Sequence, residues 1–398
     1  MTLKNELEVS IGRFISWLEN YGFESFDRMD YWSSKTGKFA KKLYYKNKLV
    51  GSPLAIWGIL LENILPNVQK LYSTKHREAI GDANYALGYL NLYELTNEKK
   101  YLKSAESFLE YLKKSAESNY SGKCWGYTFD WQTAYEYLPA NTPAITITPY
   151  PFFAFYKYYT LTAEKDSLDI CKSVSEFALN DLNETKLPNG TYSSSYTPIT
   201  TDVVINANAY RANLLLHAFE LTNNKKYYSA AIRNIDFIIK HQEKNGSWFY
   251  EVKPPNETFI DNFHTCFVLK NLFGCYKIVQ DVEILKAIRK GYNFYKNNLI
   301  DKNYMPIHFA KVKHNKLRKY ETYDFAEGIL LGCLLKDIIP EAFGLSLKLL
   351  TNLLNKFQLK DGHFVTRITT LKTLHKVPYH RWPQAQVFHA LTTIMRYI

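Results

Sequence analysis

The sequence predicts an all-α chain folded as an (α/α)6 toroid, in which six inner helices form a ring and their partner helices pack outside it. The first observation is a repeated phrase that begins at Leu95, Leu161 and Leu221, with spacings of 66 and 60 residues. The second is a turn followed by an extended aromatic phrase, which recurs every 56 to 59 residues between Gly190 and Gly362. A period of this length holds two helices and a long connection, so one helix-pair unit is reused along the chain.

The alternation of two helix types is the third observation. Six segments are apolar nearly all round and are predicted to be inner helices, near 79–95, 145–161, 204–221, 260–277, 322–336 and 381–397. Five segments carry apolar residues on one stripe and are predicted to be outer helices, near 100–118, 165–181, 227–242, 283–297 and 341–357. An open superhelical solenoid is the main alternative, but its repeats usually span about 34–47 residues and join through short turns.

The whole chain, residues 1–398, is predicted to form a single domain, and its residues 1–75 supply N-terminal helices that complete the ring and line part of the cleft. The N-terminus lacks the basic start and apolar run of a secretory signal, and no stretch of about 18 apolar residues follows. We therefore expect a cytoplasmic protein, monomeric or weakly dimeric, without a transmembrane segment. Five scattered cysteines without a CxxC pair indicate free thiols.

The net charge of +12 favours an anionic partner, either an anionic substrate or a membrane surface. The lysines are spread over predicted outer helices and turns, which is also the pattern of an ordinary solvated surface. No nucleic-acid-binding module is recognisable, so no nucleic-acid partner is expected.

Candidate functional residues follow from the ring, because the loop before each inner helix and the first turn of that helix open on one end. Polar and aromatic residues accumulate there beyond what helix capping needs. The candidate catalytic residues are acids and histidines, namely Asp261, His264, Asp324, Glu327 and His380. The candidate substrate-binding residues are Trp131, Asn206, Tyr210, Arg211, Tyr323, Arg381 and Trp382. We expect Asp261, His264, Asp324, His380 and Arg381 to face one cavity.

Each of these residues also has a structural interpretation. Asp261 has the position of a helix N-cap, and His264 suits a buried histidine whose hydrogen bonds are satisfied. If the residues are catalytic, a carboxylate paired with another acid or a histidine could protonate a glycosidic oxygen and activate water. The same groups could instead abstract a proton next to a uronate carboxylate held by arginine, and the sequence leaves this choice open.

A metal site is not expected, and neither is a cofactor. Asp261, His264 and Cys266 are metal-ligating types close in sequence. Three residues within one and a half helical turns cannot all face one ion, and no second ligand cluster accompanies them.

Two resemblances bear on the architecture. The segment Gln242–Trp248 resembles the QxxxGxW pattern of squalene and other terpenoid cyclases, and 358–364 is a weaker copy. In those proteins the pattern ties an outer helix to the next turn of an α/α toroid, which implies the same role here. The acidic DxDD and DDxxD signatures of cyclases and prenyl synthases do not occur in the sequence.

The phrases at 30–38, 259–265 and 381–386 resemble proteins of polysaccharide-biosynthesis clusters that are related to the exopolysaccharide protein VpsJ. Those proteins often carry an aminolevulinate dehydratase label, which finds no support here because that enzyme is a lysine Schiff-base β/α barrel. The resemblance implies a six-hairpin glycosidase-like toroid that makes or trims a surface polysaccharide. The chain departs from the pattern at Ser33, where an acid is expected, and this weakens a catalytic role for that phrase.

Together these observations predict a carbohydrate-active protein of surface polysaccharide biosynthesis or modification. Its substrate would be a glycan or lipid-linked oligosaccharide, and its reaction that of a glycoside hydrolase, lyase or epimerase. Two alternatives stay open: an enzyme like the terpenoid cyclases and prenyltransferases, and a non-catalytic glycan-binding scaffold.

Overall fold

The computed structural model describes residues 2–133, 136–252, 258–311 and 318–398, without the side chain of residue 318. Helices hold 63% of the residues, which confirms the predicted all-α class. The helices are α1 Leu3–Tyr21, α2 Asp30–Ser33, α3 Lys35–Lys46, α4 Lys48–Ile64, α5 Ala79–Thr96, α6 Lys99–Lys114, α7 Pro149–Thr162, α8 Lys165–Asn180, α9 Ile205–Thr222, α10 Lys225–Lys240, α11 Asn262–Val279, α12 Val282–Asn298, α13 Thr322–Leu335, α14 Pro340–Phe357 and α15 Ala385–Ile394.

The inner helices form a closed ring. Each of α5, α7, α9, α11 and α13 contacts the next inner helix in the chain, and α15 packs against both α13 and α5. The side chains of α5, α9, α11 and α13 are buried nearly all round, as the apolar pattern predicts. The contact between α15 and α5 distinguishes a toroid from an open solenoid, so the predicted (α/α)6 architecture is confirmed.

The outer helices α6, α8, α10, α12 and α14 each pack on the inner helix that precedes them. The sixth outer position belongs to α1, which packs against α15 and α14. The amide of Gln358 joins the two ends of the chain, since its Nε2 donates to the carbonyl oxygen of Ser10 at 3.0 Å and to that of Gly362 at 2.9 Å. Gln242 makes the equivalent bonds to Gly246 and Ala287, both at 3.0 Å.

Short antiparallel strands occupy the connections between outer and inner helices. They are β1 Trp131–Gln132, β2 Tyr137–Leu138, β3 Glu184–Lys186, β4 Tyr192–Ser194, β5 Ile260–Asp261, β6 Phe309–Lys311, β7 Arg318–Glu321, β8 Arg367–Thr369 and β9 Leu374–His375. Consecutive strands pair as β1–β2, β3–β4 and β5–β6, while β7, β8 and β9 form one three-stranded sheet. These strand pairs hold the connections at the end of the ring, and the pairs β5–β6 and β7–β8 join two neighbouring connections.

The last inner helix begins later than predicted. A single π-helical turn covers His380–Gln384, and α15 follows it. Pro383 has no N–H to donate and Trp382 has non-helical angles (φ −160°, ψ 93°), so a regular helix cannot start at 381.

An insertion between α1 and α5 carries α2, α3, α4 and a 3-10 helix at Pro66–Leu71. It is fastened to the ring by the fully buried Arg367, which contacts Glu62 at 3.0 Å and Glu321 at 3.2 Å. No helix of the described chain is long and apolar enough to span a membrane. The five cysteines are free, as predicted, and all of them are buried.

Candidate functional site

A cavity of about 430 Å³ opens at the end of the ring where the connections enter the inner helices. The first turns of the inner helices contribute residues such as Ile80, Asn206 and Tyr323, and the N-terminal insertion adds Arg28 and Met29. Residues that are far apart in sequence therefore meet in one place, which the toroid requires.

Asp261 and His264 form the first histidine–carboxylate pair of the cavity. Asp261 ends β5 and caps α11, since its Oδ1 accepts a hydrogen bond from the backbone N of His264 at 3.0 Å. The same carboxylate lies 2.9 and 2.8 Å from Nδ1 of the His264 ring. Asp261 therefore caps α11 and also orients the ring of His264. The structural interpretation of Asp261 as a helix cap is compatible with its interpretation as a functional residue of the cavity.

His308 and Asp324 form a second pair of the same kind. Nδ1 of His308 lies 2.7 Å from Oδ2 of Asp324, and both side chains are buried. Burial raises the pKa of Asp324 to about 6, the charges of Glu321 and Asp261 act in the same direction, and His308 opposes them. The carboxylate is therefore still ionised at neutral pH and holds the proton of the imidazole on Nδ1.

The two imidazoles flank one aromatic ring. The ring centroid of Phe263 lies 4.1 Å from that of His264 and 5.7 Å from that of His308. Nε2 of neither histidine forms a hydrogen bond with the residues that the structure describes. Because an ionised carboxylate can only accept, each Nδ1 donates, and Nε2 is the nitrogen of each ring that is left to exchange a proton with a substrate.

Arginine supplies positive charge to the cavity. Arg381 donates two hydrogen bonds to buried Asp27, at 2.7 Å from Nε and 2.6 Å from Nη2. Burial alone would raise the pKa of Asp27, but the charge and hydrogen bonds of Arg381 bring it below its ordinary value. Arg28 lies over the Trp382 ring, 5.0 Å from its centroid. This charge suits a substrate that carries a carboxylate or phosphate, or one that develops negative charge during reaction.

Aromatic rings form most of the cavity wall. Tyr323 and Trp382 are stacked with centroids 3.8 Å apart and an interplanar angle of 5°. The aromatic lining residues are Tyr127, Phe129, Trp131, Tyr150, Tyr196, Tyr250, Phe259, Phe263, Phe267, Phe309, Tyr323 and Trp382. Such rings can pack against the apolar faces of sugars, although the wall is equally suited to a hydrocarbon.

The structure brings seven of the residues predicted from sequence to the cavity wall. They are Trp131, Asn206, Asp261, His264, Tyr323, Arg381 and Trp382. Two more stand directly behind lining residues, since Asp324 holds His308 and the hydroxyl of Tyr210 lies 2.6 Å from that of Tyr150. The expectation that Asp324 itself faces the cavity is therefore not met.

His380 does not face the cavity, contrary to expectation. Its Nδ1 lies 2.5 Å from the hydroxyl of Tyr85, and its Nε2 lies 3.0 Å from the carbonyl oxygen of Gly22. Burial lowers the pKa of His380 to about 3, so the ring is neutral. The neighbouring Arg381 takes the cavity position instead, because the π-helical turn points successive side chains in different directions.

Glu327 and Arg211 also lie away from the cavity. Glu327 is one helical turn beyond Tyr323 and pairs with Lys270 at 2.5 Å. Arg211 is buried against the outer layer, where it donates to the carbonyl oxygen of Ala178 at 2.7 Å and to Glu184 at 2.8 Å. On a helix buried all round, sequence alone does not tell which side faces the ring centre.

Sequence reasoning missed His308, Asp27 and Arg28. His308 belongs to the extended phrase 305–308, which served only to set the register of the repeat. A histidine at the end of such a phrase, in the connection that leads to an inner helix, was a usable signal. Asp27 and Arg28 lie in the insertion, outside the repeat, and no periodic argument reaches them.

A metal site finds no support in the side chains that are described. No group of three or more His, Cys, Asp or Glu residues among them could hold an ion. Asp261 and His264 bind each other, and Cys266 forms a contact with Asn262 at 3.8 Å on the buried side of α11.

No family model matches the chain, and no curated protein matches it. Solved structures of the same fold are numerous. A cellobiose 2-epimerase from Bacillus thermoamylovorans B4167 is 11% identical with a TM-score of 0.63, over 82% of this chain and 90% of that one. An unsaturated glucuronyl hydrolase specific for heparin is 12% identical with a TM-score of 0.65, over 98% and 96%.

A D-mannose isomerase is 13% identical with a TM-score of 0.62, over 81% of this chain and 88% of that one. These neighbours are six-hairpin glycosidase-like enzymes, which establishes the fold predicted from the sequence. At such low identity the likeness extends to architecture alone.

Proposed function

We propose that this chain is a sugar-processing enzyme that transfers protons through His264 and His308, as an epimerase, isomerase or lyase does. The observation that carries the proposal is the pair of imidazoles in one cavity, each with Nδ1 held by a buried carboxylate. With two oriented imidazoles in one cavity, one can remove a proton from a carbon of the substrate and the other can return a proton at a different position.

The same geometry argues against a glycosidase that uses two free carboxyl groups. Among the described lining residues Asp261 is the only acid, and both of its oxygens contact the His264 ring. Glycoside hydrolysis usually needs two acids that flank the scissile bond. Here the acids orient imidazoles, which makes proton abstraction next to a carbonyl or carboxylate the better match.

In the proposed reaction a neutral imidazole takes a proton from the carbon next to the sugar carbonyl. The electron pair of the C–H bond moves toward the carbonyl oxygen, and an enediolate forms. Asp27 occupies Nε and Nη2 of Arg381, so Nη1 is the group available to stabilise that oxygen. The second imidazole, which enters the step protonated on both nitrogens, then gives its Nε2 proton to the substrate, and the sugar leaves as an epimer or isomer. The first imidazole keeps the proton that it removed, and exchange with solvent restores both protonation states.

A substrate with a carboxylate fits the same arrangement. Arg28 and Arg381 would hold a uronate, and proton abstraction followed by loss of the 4-linked sugar would make the chain a lyase. We place this activity in the biosynthesis or modification of a surface polysaccharide, because the phrases at 30–38, 259–265 and 381–386 resemble proteins of such clusters.

The aromatic wall supports a second candidate, an isoprenoid-binding enzyme. Twelve aromatic lining residues could enclose a hydrocarbon chain. Arginines could hold the phosphate of an isoprenoid. The hydrogen-bonded histidine–carboxylate pairs have no evident use in such a cavity, so the sugar-processing hypothesis is preferred.

Solvent exchange tests the proposal. Incubated in D2O with reducing mono- and disaccharides and with uronate oligosaccharides, the protein should introduce deuterium at the carbon next to the carbonyl or carboxylate, detected by NMR. His264→Gln and His308→Gln should each lower the exchange rate roughly 10²–10⁴-fold. His241→Gln serves as the matched control, since its Nδ1 bonds to the Phe237 carbonyl oxygen outside the cavity.

Two results would contradict this proposal. One is hydrolysis of a glycoside with no deuterium at carbon, and the other is exchange that survives both cavity variants. Tight binding of polyprenyl phosphate that competes with no sugar would favour the isoprenoid candidate instead.

A further inference from the structure

Helix α4 presents its apolar side chains to solvent. Leu49, Ile56, Trp57 and Ile64 are between 49% and 89% exposed. Their spacing places them within an arc of about 100° on a helix with 3.6 residues per turn. These four residues are called the apolar stripe. An outer helix of a globular protein normally has the opposite arrangement, with its apolar side chains facing inward.

The inward face of α4 is too closely packed for the helix to turn over. A Cβ at Gly51 would lie 2.2 Å from the backbone of Tyr44, and one at Gly58 would lie 2.1 Å from the ring of Tyr31. One turn later, Glu62 contacts buried Arg367 at 3.0 Å. The glycines and the ion pair set the rotation of α4, so the apolar stripe stays outside.

Exposed apolar residues concentrate around this helix. Of the 22 large hydrophobic residues found exposed in the described chain, ten fall between Phe39 and Tyr72. Scattered exposed apolar residues are ordinary, but such a concentration usually marks an interaction surface.

Positive charge surrounds the apolar stripe. Residues 35–75 contain eight lysines and one acid, Glu62, which is buried against Arg367. Lys42, Lys46 and Lys48 precede the stripe and Lys70 follows it, all of them exposed. None of the four forms an ion pair with the residues that the structure describes.

We propose that α4 docks on an anionic lipid surface, with its apolar stripe at the boundary between headgroups and acyl chains. The lysines at both ends of the stripe complement anionic headgroups, and Trp57 is a residue type that favours the membrane interface. A protein partner would need a complementary acidic and apolar surface, whereas a bilayer with anionic lipid supplies both features together. The inference goes beyond the sugar chemistry and does not depend on it.

The docking surface lies beside the cavity. Lys41 of α3 donates from Nζ to the carbonyl oxygen of Gln132 at 3.3 Å, and Lys38 forms an ion pair with Asp130. Trp131, between these two contacts, lines the cavity. A docked chain would therefore hold one wall of its cavity close to the lipid. A sugar-processing cavity held at a lipid surface points to a lipid-linked glycan as the substrate class, an inference that rests on the proposed function.

Vesicle flotation tests the docking directly. The wild type should float with vesicles of phosphatidylcholine and phosphatidylglycerol, and much less with phosphatidylcholine alone. Replacing exposed apolar residues in Leu49→Ser/Ile56→Ser/Trp57→Ser should lower the partition coefficient at least about tenfold. The matched control Ile199→Ser/Val282→Ser/Leu371→Ser changes three residues that are 55%, 58% and 65% exposed elsewhere, and should float like wild type.

The charge is tested in the same assay. Lys42→Gln/Lys46→Gln/Lys48→Gln should lower binding to the anionic vesicles roughly tenfold or more, because each surface lysine adds appreciably to the attraction. Its control, Lys225→Gln/Lys226→Gln/Lys244→Gln, removes three exposed lysines from another part of the ring. Circular dichroism should show that all four variants keep the wild-type helix content.

Failure would take a recognisable form. If wild type stays in the aqueous fraction with anionic vesicles, the proposal is wrong. If it instead sediments as a dimer that the Leu49/Ile56/Trp57 variant dissociates, a second copy covers the apolar stripe. Deuterium exchange on soluble sugars would be unaffected in either case, so this failure is separate from failure of the proposed function.

Discussion

Helices α10 and α4 are similar in length but face the protein with opposite sides. The outer helix α10 buries apolar side chains, among them Ala231, Ile235 and Ile238, and leaves its lysines in water. The insertion helix α4 buries glycines and Glu62 and leaves the apolar stripe in water. The position of α10 is set by the hydrophobic effect, whereas that of α4 is set by close backbone contacts and a buried ion pair.

This difference shows that the chain has two kinds of surface. The ring is stabilised by the apolar area that its repeats bury against each other. The insertion adds little apolar burial through α4 but carries Arg28 to the cavity, Asp27 to Arg381 and the apolar stripe to the outside. Stability is concentrated in the ring, and the features that distinguish this toroid are concentrated in the insertion.

The largest expected effect is a difference in stability between one substitution in α10 and one in α4. Ile238→Asp places a charge in the core at a fully buried position and should lower the free energy of unfolding by about 4 kcal/mol or more. Ile56→Asp, at a side chain that is 53% exposed, should change it by less than about 0.5 kcal/mol. Urea denaturation followed by circular dichroism measures both, and equal losses would contradict the proposed difference between the helices.

A smaller effect is expected where the insertion joins the ring. Arg367→Met leaves Glu62 and Glu321 buried without its charge and should cost roughly 3–5 kcal/mol. Adding Glu62→Gln and Glu321→Gln should recover a large part of that loss, since two buried negative charges are then gone. Trypsin should cut the single variant after Lys46 or Lys48 sooner than wild type; unchanged cleavage would mean that other contacts hold α4.

The smallest effect is a difference in pH dependence between the two regions. Burial lowers the pKa of His389 in the ring to about 3, so its contribution to stability is present above its ordinary pKa and is lost as pH falls from about 6.5 toward 3. In the insertion, burial would lower the pKa of His76, but Glu78, with Oε1 3.4 Å from Nε2, raises it to about 9. That contribution is present below pH 6.5 and is lost as pH rises toward 9.

Each histidine changes the slope by at most about 1.4 kcal/mol per pH unit. His389→Gln should therefore flatten the acid side of a plot of unfolding free energy against pH, and His76→Gln the alkaline side. A variant that shifts the whole curve without changing either slope would show that the histidine acts through packing alone.

The sequence by itself determined the ring. A period near 60 residues and the alternation of all-round and one-sided apolar helices allow few other ways to bury that surface, and most helix boundaries lie within a few residues of the prediction. The proximity of Asp261 and His264 could also be predicted from the sequence, because a separation of three residues on a helix puts both on one face.

Only the tertiary structure decided what the ring brings together. His308 and Asp324 meet because the start of β6 lies beside the first turn of α13, and Arg381 meets Asp27 from 354 residues away. Because α9 is buried on every side, its sequence pattern does not show that Asn206 faces the cavity while Arg211 faces the outer layer. Hydrophobic periodicity reports how much surface a helix buries, but the neighbour that each side meets depends on closure of the ring, a long-range contact that local patterns do not contain.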